Sequence, residues 1–405
     1  MTTRLKCLVA VAGLVSALGA GSAAAQLSDG VVKIGVLTDM SSLYADINGP
    51  GAVVATQMAI EDFGGTVLGK KIEFVSGDVQ NKADIATSVA SRWFDTEQVD
   101  VILGTSSSSA SLVTARVAAD KKKIYIATDP ATSDLTGKAC TPYTIHWVYD
   151  TVALSNGTGS AVVKAGGKDW YFLTADYAFG HALERDVTEV VKANGGRIVG
   201  SVRHPLNTTD FSSFLLQAQS SKAQVIGLAN AGGDTINAIK QGAEFGIVQG
   251  GQKMAGLLVF VSDVHSIGLK LAQGLQLTEA FYWDLNEGTR TWSKRWSAKM
   301  NGRMPTSIQA GYYSAVTNSL QTIKELGTDH SDKVVPQMNA PPTSDAPSGK
   351  GMIRKDGRKI HDMYLFEVKK PEESKGPWDY YKLVRTIPGN EAFRPMDKGG
   401  CPLVQ

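Results

Sequence analysis

Short apolar runs alternate with helix-length segments along the first 130 residues of this chain. The apolar runs predict strands over residues 31–37, 71–75, 99–103 and 123–127. Helical patterns lie between them, over residues 49–63, 83–94 and 111–121. Strands separated by helices of this length are joined by right-handed crossovers, which gives a parallel sheet with helices on both faces. The pattern therefore predicts a doubly wound α/β lobe.

A second alternation of the same kind begins after residue 159. Its strands are predicted over residues 170–174, 197–202, 224–228 and 256–261, and its helices over 182–194, 211–220 and 235–245. A chain of 405 residues is longer than one hydrophobic core usually serves, so we expect two lobes. We assign residues 26–145 and 284–335 to lobe 1, and residues 146–283 to lobe 2.

The remaining segments predict how the lobes are joined. An apolar, aromatic segment at 275–283 favours an extended conformation, and helices predicted at 290–300 and 307–326 return to pack on lobe 1. Residues 336–351 are rich in Pro, Ser and Gly and predict a loop. Residues 351–368 have the form of a β-hairpin with Asp356-Gly357 as its turn. We expect residues 336–405 to form a hinge-spanning hairpin and a C-terminal tail, so the fold class is two doubly wound parallel-sheet lobes joined by a multi-segment hinge.

The first residues have the composition of an export signal. Arg4 and Lys6 precede an apolar run over residues 7–19, and three alanines, ending at Ala25, form a small-residue cleavage site. This pattern is typical of a secretory signal peptide over residues 1–25 and is too short for a permanent membrane anchor. The sequence therefore predicts a mature protein that begins near Gln26, is located in the periplasm and has no stable membrane insertion.

Charge and cysteine content narrow the possible partners and the compartment. The chain has 41 basic and 39 acidic residues, and loss of the signal removes two of the basic ones. A net charge near zero argues against nucleic acid as a partner. Cys140 and Cys401 remain after cleavage, and an even pair in an oxidising compartment suggests a disulfide. Two free buried thiols are the alternative.

A run of four serines follows the third predicted strand directly. Gly104 and Thr105 lead into Ser106, Ser107, Ser108 and Ser109, and a helix is predicted from residue 111. The N-terminus of a helix can bind an anion such as a carboxylate. Serine hydroxyls and unpaired N–H groups donate hydrogen bonds to the anion, and the positive end of the helix dipole attracts its charge. In open parallel sheets, ligands bind at the carboxyl ends of the strands, where this run lies. A loop that only caps the helix is the alternative.

Motifs for catalysis and for cofactors are absent from the sequence. There is no Gly-x-Ser-x-Gly elbow, no His-x-x-x-His or Cys-x-x-Cys spacing, no P-loop, and no dinucleotide-binding glycine motif after the first strand. We therefore expect no enzymatic activity, no metal and no other cofactor. A hydrolase that uses a serine of the run is kept as a third hypothesis.

Several short motifs, in order along the chain, resemble those of a known family. They are Ile-Gly-Val-Leu-Thr-Asp-Met-Ser at 34–41, the serine segment, Asp-Pro-Ala-Thr-Ser-Asp-Leu-Thr at 129–136, Asp-Tyr-Ala-Phe-Gly at 176–180, and Asp-Phe-Ser-Ser at 210–213. Together the motifs resemble the type I periplasmic solute-binding proteins of ABC importers, of the leucine/isoleucine/valine-binding kind. The resemblance covers nearly all of the mature chain and implies the two-lobed fold predicted above.

The resemblance also implies a set of ligand contacts. In that family, hydroxyls and N–H groups of lobe 1 hold the ligand carboxylate, and the matching positions here are Ser106, Ser107, Ser108, Ala131 and Thr132. An aromatic side chain of lobe 2 closes over the ligand, and Phe179 falls there, with Tyr177 as a second candidate. Members that bind α-amino acids hold the ammonium with an acidic residue of lobe 2, and Asp263 lies nearest that place.

Tyr44, in the loop after the first strand, is a further candidate because its ring can stack on a ligand. Each of these residues also has a purely structural interpretation. Ala131 and Thr132 can form a turn, Phe179 can belong to the core, Asp263 can cap a helix and Tyr44 can be a surface residue. Asn230-Ala231-Gly232 stand where the family has another aromatic residue, which predicts a roomier pocket.

We expect from these observations an exported receptor whose two lobes close on a small carboxylate. A branched-chain or other apolar amino acid fits if Asp263 faces the cleft, and an aromatic acid fits if it does not. The expected partner is an inner-membrane ABC permease. A sensory receptor of the same fold, which signals to a regulator instead, is the alternative function.

Overall fold

The computed structural model describes residues 27–340, 342–345, 347 and 349–404, so the predicted signal peptide lies outside the described residues. A six-stranded sheet forms the first lobe, in the order β2-β3-β1-β4-β5-β6. Apart from β2, which is antiparallel to β3, neighbouring strands are parallel. The elements of this lobe are β1 (Val32–Thr38), α1 (Gly49–Asp62), β2 (Thr66–Val67), β3 (Lys70–Asp78), α2 (Ala83–Asp95), β4 (Val101–Gly104), α3 (Ser108–Lys121), β5 (Ile124–Ala127) and β6 (Thr144–His146).

The second lobe is built on a four-stranded parallel sheet in the order β10-β9-β7-β8. Helices connect its strands and also link it to the first lobe. The elements are α4 (Thr151–Leu154), α5 (Ser160–Lys164), β7 (Asp169–Ala175), α6 (Ala178–Ala193), β8 (Arg197–His204), α7 (Ser212–Ser220), β9 (Val225–Ala229), α8 (Gly233–Glu244), β10 (Lys253–Gly256), α9 (Val261–Ile267) and α10 (Leu269–Ala272).

The last third of the chain adds two small antiparallel sheets and four helices. One sheet has the order β11-β15-β16 and the other β12-β13-β14. The elements are β11 (Gln276–Glu279), α11 (Glu287–Lys299), α12 (Ser307–Leu326), α13 (Ser331–Met338), β12 (Thr343–Asp345), β13 (Gly349–Ile353), β14 (Lys359–His361), β15 (Met363–Val368), β16 (Tyr381–Ile387) and α14 (Gly389–Ala392). The expected fold of two parallel α/β lobes is confirmed.

Helices α11 and α12 return to the first lobe and pack on α1. The Trp296 indole donates to the carbonyl of Gly51 at 3.0 Å, and the Thr306 hydroxyl donates to the carbonyl of Ile47 at 2.7 Å. Helix α12 has the predicted bounds because both of its ends are marked. A capping box between Thr306 and Gln309 begins the helix, and Gly327, at φ +69°, ends it.

Several segments differ from the sequence-based expectations. The strand predicted at 256–261 is wrong, since β10 ends at Gly256 and α9 begins at Val261. The apolar run between them is buried as irregular chain, which periodicity cannot distinguish from a buried strand. Helix α3 begins at Ser108, three residues earlier than predicted, because the serines extend its first turn. The loop predicted at 336–351 contains the end of α13, all of β12 and the start of β13.

The predicted hairpin is present but shorter than expected. Strands β13 and β14 pair around a turn that contains Asp356 and Gly357, the latter at φ +81°. After His361 the chain leaves this pair, and β15 pairs instead with β11 and β16. Beside the turn, the carbonyl of Gly357 accepts from the N–H of His146, and Arg358 forms a parallel bridge to His146. The hairpin therefore extends the edge of the first sheet.

A disulfide joins Cys140 to Cys401, whose Cα atoms lie 5.6 Å apart, as predicted. Close contacts hold the C-terminal tail in place beside it. The Arg394 guanidinium donates to the carbonyl of Ser133 at 2.7 Å, and a Cβ atom at Gly137 would lie 2.7 Å from the Gly399 carbonyl oxygen. The tail is thus fixed to the segment that follows β5.

Replacing both Cys140 and Cys401 by serine should lower the free energy of unfolding by about 2–5 kcal/mol, because the bond closes a long loop in the unfolded chain. Urea denaturation of wild type and variant measures the loss. Dithiothreitol should destabilise the wild type by a similar amount and leave the variant unchanged. An equal effect of the reductant on both proteins would contradict the prediction.

Gly51→Ala should destabilise the protein by about 1–3 kcal/mol, because overpacking a close contact forces neighbouring side chains to shift. A Cβ atom at this position would lie 2.6 Å from the Trp296 ring and 2.3 Å from the Gln309 amide. Thermal unfolding measures the effect. Gln57→Ala, at an exposed position of the same helix, is the control and should leave the melting temperature within about 1 °C. Equal melting temperatures for Gly51→Ala and wild type would contradict the close packing.

Candidate ligand-binding site

A small cavity lies between the two parallel sheets. Its walls are built mainly from the segments that follow strand carboxyl ends in both sheets. From the first lobe these residues are Tyr44, Ile47, Asn48, Ser106, Ser108, Asp129 and Ala131; from the second they are Tyr177, Phe179, Ala231 and Leu258. Tyr149 and Ile308 complete the lining. The cavity thus lies where open parallel sheets bind ligands.

A sharp turn at the end of β4 places the serine run at the cavity. Gly104, Thr105 and Ser106 all have positive φ, at +102°, +69° and +27°. Only glycine fits at position 104, because a Cβ atom there would lie 2.0 Å from the Tyr312 hydroxyl. Such a conformation costs Thr105 about 1–3 kcal/mol. Hydrogen bonds that join its hydroxyl group to those of Ser111 and Tyr125 hold it in place.

The four serines have different roles. Ser106 and Ser108 line the cavity, whereas Ser107 does not. The Ser107 hydroxyl caps α3 by accepting the N–H of Ala110 at 3.3 Å, and it donates to the carbonyl of Asn81. The Ser108 hydroxyl accepts the N–H of Thr132 at 3.2 Å, which leaves its own proton free for a ligand. Both alternatives for the run, a helix cap and a polar cavity wall, are therefore present in adjacent residues.

Ala131 lines the cavity, but Thr132 lies behind it. The Thr132 side chain is fully buried and caps the short 3₁₀ helix Ser133–Thr136. Its backbone N–H group donates to Ser108, so Thr132 contributes to the site by fixing that serine.

Asp129 is the main cavity residue that the sequence analysis missed. The carboxylate is buried and accepts five hydrogen bonds on Oδ2, at 2.8–3.4 Å, from the hydroxyls of Thr38, Tyr312 and Ser106, the Asn48 amide and the N–H of Ser106. Its other oxygen accepts from Thr128 at 2.9 Å. Burial raises the pKa of Asp129 to about 6, and the hydrogen bonds partly offset this increase.

Ser106, predicted to hold a ligand carboxylate, is largely occupied by the protein itself. Besides the bond from its N–H group to Asp129, its hydroxyl oxygen accepts the N–H of Asp39 at 2.6 Å and the Asn48 amide at 3.1 Å. Among the described residues, the donors left for a ligand are therefore the Ser108 hydroxyl and the N–H groups of Ser108 and Ser109, because those of Ala110 and Ser111 bond to Ser107.

The two lobes meet at a pair of tyrosines. The hydroxyl oxygens of Tyr44 and Tyr177 lie 2.5 Å apart, and burial raises the pKa of both. Tyr177 and Phe179 begin α6, with ring centroids 5.8 Å apart, and both line the cavity. Gly232, at φ +56°, packs so closely that a Cβ atom there would lie 3.0 Å from the Tyr44 ring. Tyr44 thus fills the space that was predicted to make the pocket roomier.

Asp263 has the structural one of its two predicted roles, and Tyr149 is a cavity residue that the sequence analysis did not name. The Asp263 carboxylate does not line the cavity, because it accepts the N–H of Phe260 at 2.9 Å and caps α9. Burial raises its pKa to about 7. Tyr149 lines the cavity and donates to the carbonyl of Asp129 at 2.7 Å.

A cavity that closes between two parallel α/β lobes, at their strand carboxyl ends, defines a two-lobed ligand-binding protein. The chain belongs to the periplasmic binding protein family, whose model matches residues 31–376. Across residues 27–404, apart from the three undescribed positions, no helix is both long and apolar enough to span a membrane.

Solved structures and a curated relative agree with this family. A periplasmic binding protein of Burkholderia mallei is 55% identical, with 93% of this chain and 100% of that chain covered and a TM-score of 0.91. A branched chain amino acid ABC transporter periplasmic ligand-binding protein of Burkholderia xenovorans LB400 is 41% identical, with coverage of 92% and 100% and a TM-score of 0.82. A Leu/Ile/Val-binding protein homolog 6 of Brucella melitensis is 25% identical over 59% of this chain, and the match spans 61% of that relative.

A more distant structure shows the same fold. It is a solute-binding protein of an ABC transporter from R. palustris in complex with benzoate. It is 21% identical, with 92% of this chain and 100% of that chain covered and a TM-score of 0.80.

Tyr44→Phe and Tyr177→Phe should each weaken closure of the lobes by about 1 kcal/mol, because each leaves a buried hydroxyl without its partner. The double variant should lose less than the sum of the two, since it removes both hydroxyls. Small-angle scattering measures the closed fraction of each protein. Strictly additive losses would show that the two hydroxyls do not interact across the cleft.

Proposed function

We propose that this protein is the periplasmic solute-binding component of an ABC importer and captures a small carboxylate between its two lobes. The observation that carries the proposal is the start of α3. Ser108, the first residue of this helix, lies at a small cavity that both lobes enclose, and no described residue accepts its hydroxyl proton. Family membership and the Burkholderia xenovorans relative support transport over a sensory role.

The walls of the cavity favour an acid with an uncharged aromatic or apolar tail. Tyr44, Tyr149, Tyr177 and Phe179 surround the cavity, and their aromatic rings suit a ligand tail that carries no charge. The lining residues of the second lobe carry no charge, and Asp263 caps a helix instead of facing the ligand. An aromatic acid needs no acidic partner in the second lobe, whereas the ammonium group of an α-amino acid would have only Asp129 of the first lobe to face.

The proposed mechanism is binding, enclosure and delivery, with no chemical step. A ligand that contacts Ser108 on one lobe and Phe179 on the other binds the closed form better than the open form and so shifts the population towards closure. The inner-membrane permease then recognises the closed form. Export by a cleaved signal peptide over residues 1–25 is part of the same proposal.

Benzoate and leucine separate the two ligand classes in a thermal-shift and calorimetric screen. A bound ligand at about one hundred times its Kd adds about 2.7 kcal/mol to the free energy of unfolding. We expect benzoate to raise the melting temperature more than leucine does. If neither compound raised it, the proposed carboxylate class would be wrong for these two representatives.

Ser108→Ala tests the proposed anion contact. Loss of one hydrogen bond to a carboxylate should weaken benzoate binding about 10- to 150-fold, because bonds to charged groups contribute about 1.5–3 kcal/mol. Ser107→Ala is the matched comparison, since it removes a helix cap outside the cavity. It should lower the melting temperature by a few degrees and leave the Kd for benzoate unchanged. Equal affinity losses in the two variants would contradict the assignment of Ser108.

A further inference from the structure

We propose that Asp129 couples ligand capture to a proton: when the cavity binds an anionic ligand, the Asp129 carboxylate takes up one proton from solvent. This inference rests on the proposed function, because it concerns the same cavity and the same class of ligand. It assigns to Asp129 a role in setting which ligand charge the site accepts.

The first observation is that the cavity already holds a carboxylate. Asp129 lines the same wall as Ser108 and Ala131, and its side chain occupies the N–H group of Ser106 at 3.1 Å. That N–H group lies two residues before the first residue of α3, so a ligand carboxylate at the helix N-terminus shares this wall with Asp129. Two carboxylates are thus brought to one buried site.

The second observation is that no cation compensates Asp129. Among the described side chains, no lysine, arginine or histidine forms an ion pair or hydrogen bond with its carboxylate. Its partners are hydroxyl, amide and N–H donors. These donors stabilise the negative charge of Asp129, and none of them carries a positive charge that would offset a second anion.

The titratable groups around Asp129 are tyrosines and one further acid. Tyr312 of α12 donates to the carboxylate, Tyr149 donates to its backbone carbonyl, and Tyr125 of β5 acts on it through space. Burial raises the pKa of all three, so they stay neutral below pH 9. Asp39, after β1, turns its carboxylate to Ser42, Asn81 and the N–H of Tyr44.

The second lobe adds no charge to the cavity wall. It contributes Tyr177, Phe179, Ala231 and Leu258. When the lobes close, the two anions would therefore face each other with little water and with no positive side chain between them. Two carboxylates in such a site cannot both remain ionised without a large cost in free energy. Protonation of one carboxylate removes this cost.

Protonation of Asp129 balances charge and hydrogen bonds together. A proton from solvent converts the carboxylate into a carboxylic acid, while the ligand stays an anion. The new O–H group supplies a donor, whereas an ionised Asp129 offers the ligand only acceptors. The carboxyl group of the empty protein has its pKa raised to about 6 by burial, and a second anion nearby raises that pKa further. Binding at neutral pH therefore requires proton uptake.

Affinity for an anionic ligand should fall as the pH rises. The protonated form binds the anion, so affinity is highest near and below pH 6 and falls as the pH rises above it. The decrease reaches about tenfold per pH unit while the free protein is ionised and the complex is protonated. A ligand acid with an ordinary pKa near 4 stays ionised over this range, so the decrease reports on the protein.

Calorimetry of the whole protein with benzoate, and separately with leucine, tests the proposal. Titrations at pH 7 in buffers of different ionisation enthalpy give the number of protons exchanged, and titrations at pH 6 and pH 8 give the affinity ratio. We expect uptake of close to one proton and a Kd that is at least tenfold weaker at pH 8. Binding with no proton uptake and equal affinity at both pH values would overturn the inference and leave the proposed function intact.

Asp129→Asn, with a matched control, locates the proton. The variant should bind benzoate without proton uptake and with the same Kd at pH 6 and pH 8. Asp100→Asn is the control, because burial also raises the pKa of Asp100 to about 6, but this residue precedes β4 at the opposite edge of the sheet and pairs with Lys123 at 3.0 Å. The control should keep the full uptake of the wild type.

The remaining outcomes are also decisive. If Asp129→Asn abolished leucine binding while the wild type bound leucine without proton uptake, Asp129 would be a partner for the ammonium group, and the inference would be wrong. If Asp129→Asn did not fold, the buffer series on the wild type and on Asp100→Asn would still give the proton number. If the wild type bound neither compound at pH 6, the proposed ligand class and this inference would fail together.

Discussion

One buried carboxylate organises the binding edge of the first lobe. Asp129 accepts hydrogen bonds from Thr38 at the end of β1, Ser106 after β4 and Tyr312 of α12, and so ties three separate elements together. Hydrogen bonds to a charged group contribute about 1.5–3 kcal/mol each, but they must offset the cost of removing that charge from water. The strained turn at Thr105 and Ser106 depends on this set of bonds, and the serine run depends on the turn. The same group therefore shapes the site and sets its charge.

The fold was predictable where a segment is long, periodic and marked at both ends. Helix α12 had its exact bounds because Thr306, Gln309 and Gly327 are explicit signals. Strand β6 has three residues and no periodicity, and it is a strand only because it pairs with β5. The sheet of β11, β15 and β16 joins segments separated by about one hundred residues, which no local pattern records. Local signals thus predicted the lobes but not the small sheets between them.

The candidate site was predictable in position but not in detail. Strand edges in a parallel sheet converge, so the serines, Tyr44, Tyr177 and Phe179 were expected near one another, and the structure places most of them at one cavity. Asp129 was missed because its partners lie 91 and 183 residues away along the chain. The signal that was available is an aspartate directly after an apolar strand, with no basic residue in the turn that follows. An acidic residue just after the carboxyl end of a strand should therefore be counted as a candidate for the binding surface, even where its residue type also suits a turn.

The disulfide has a mechanical consequence. A covalent bond between Cys140 and Cys401 bypasses the 261-residue span between them, so tension applied to the two ends of the chain passes through sulfur and not through that span. The whole second lobe, α12 and both small sheets lie within the bypassed segment. Only the elements from β1 to β5 would bear load. A force experiment on the oxidised protein would therefore extend the first lobe alone, while the lobe that closes over the cavity stays out of the force path.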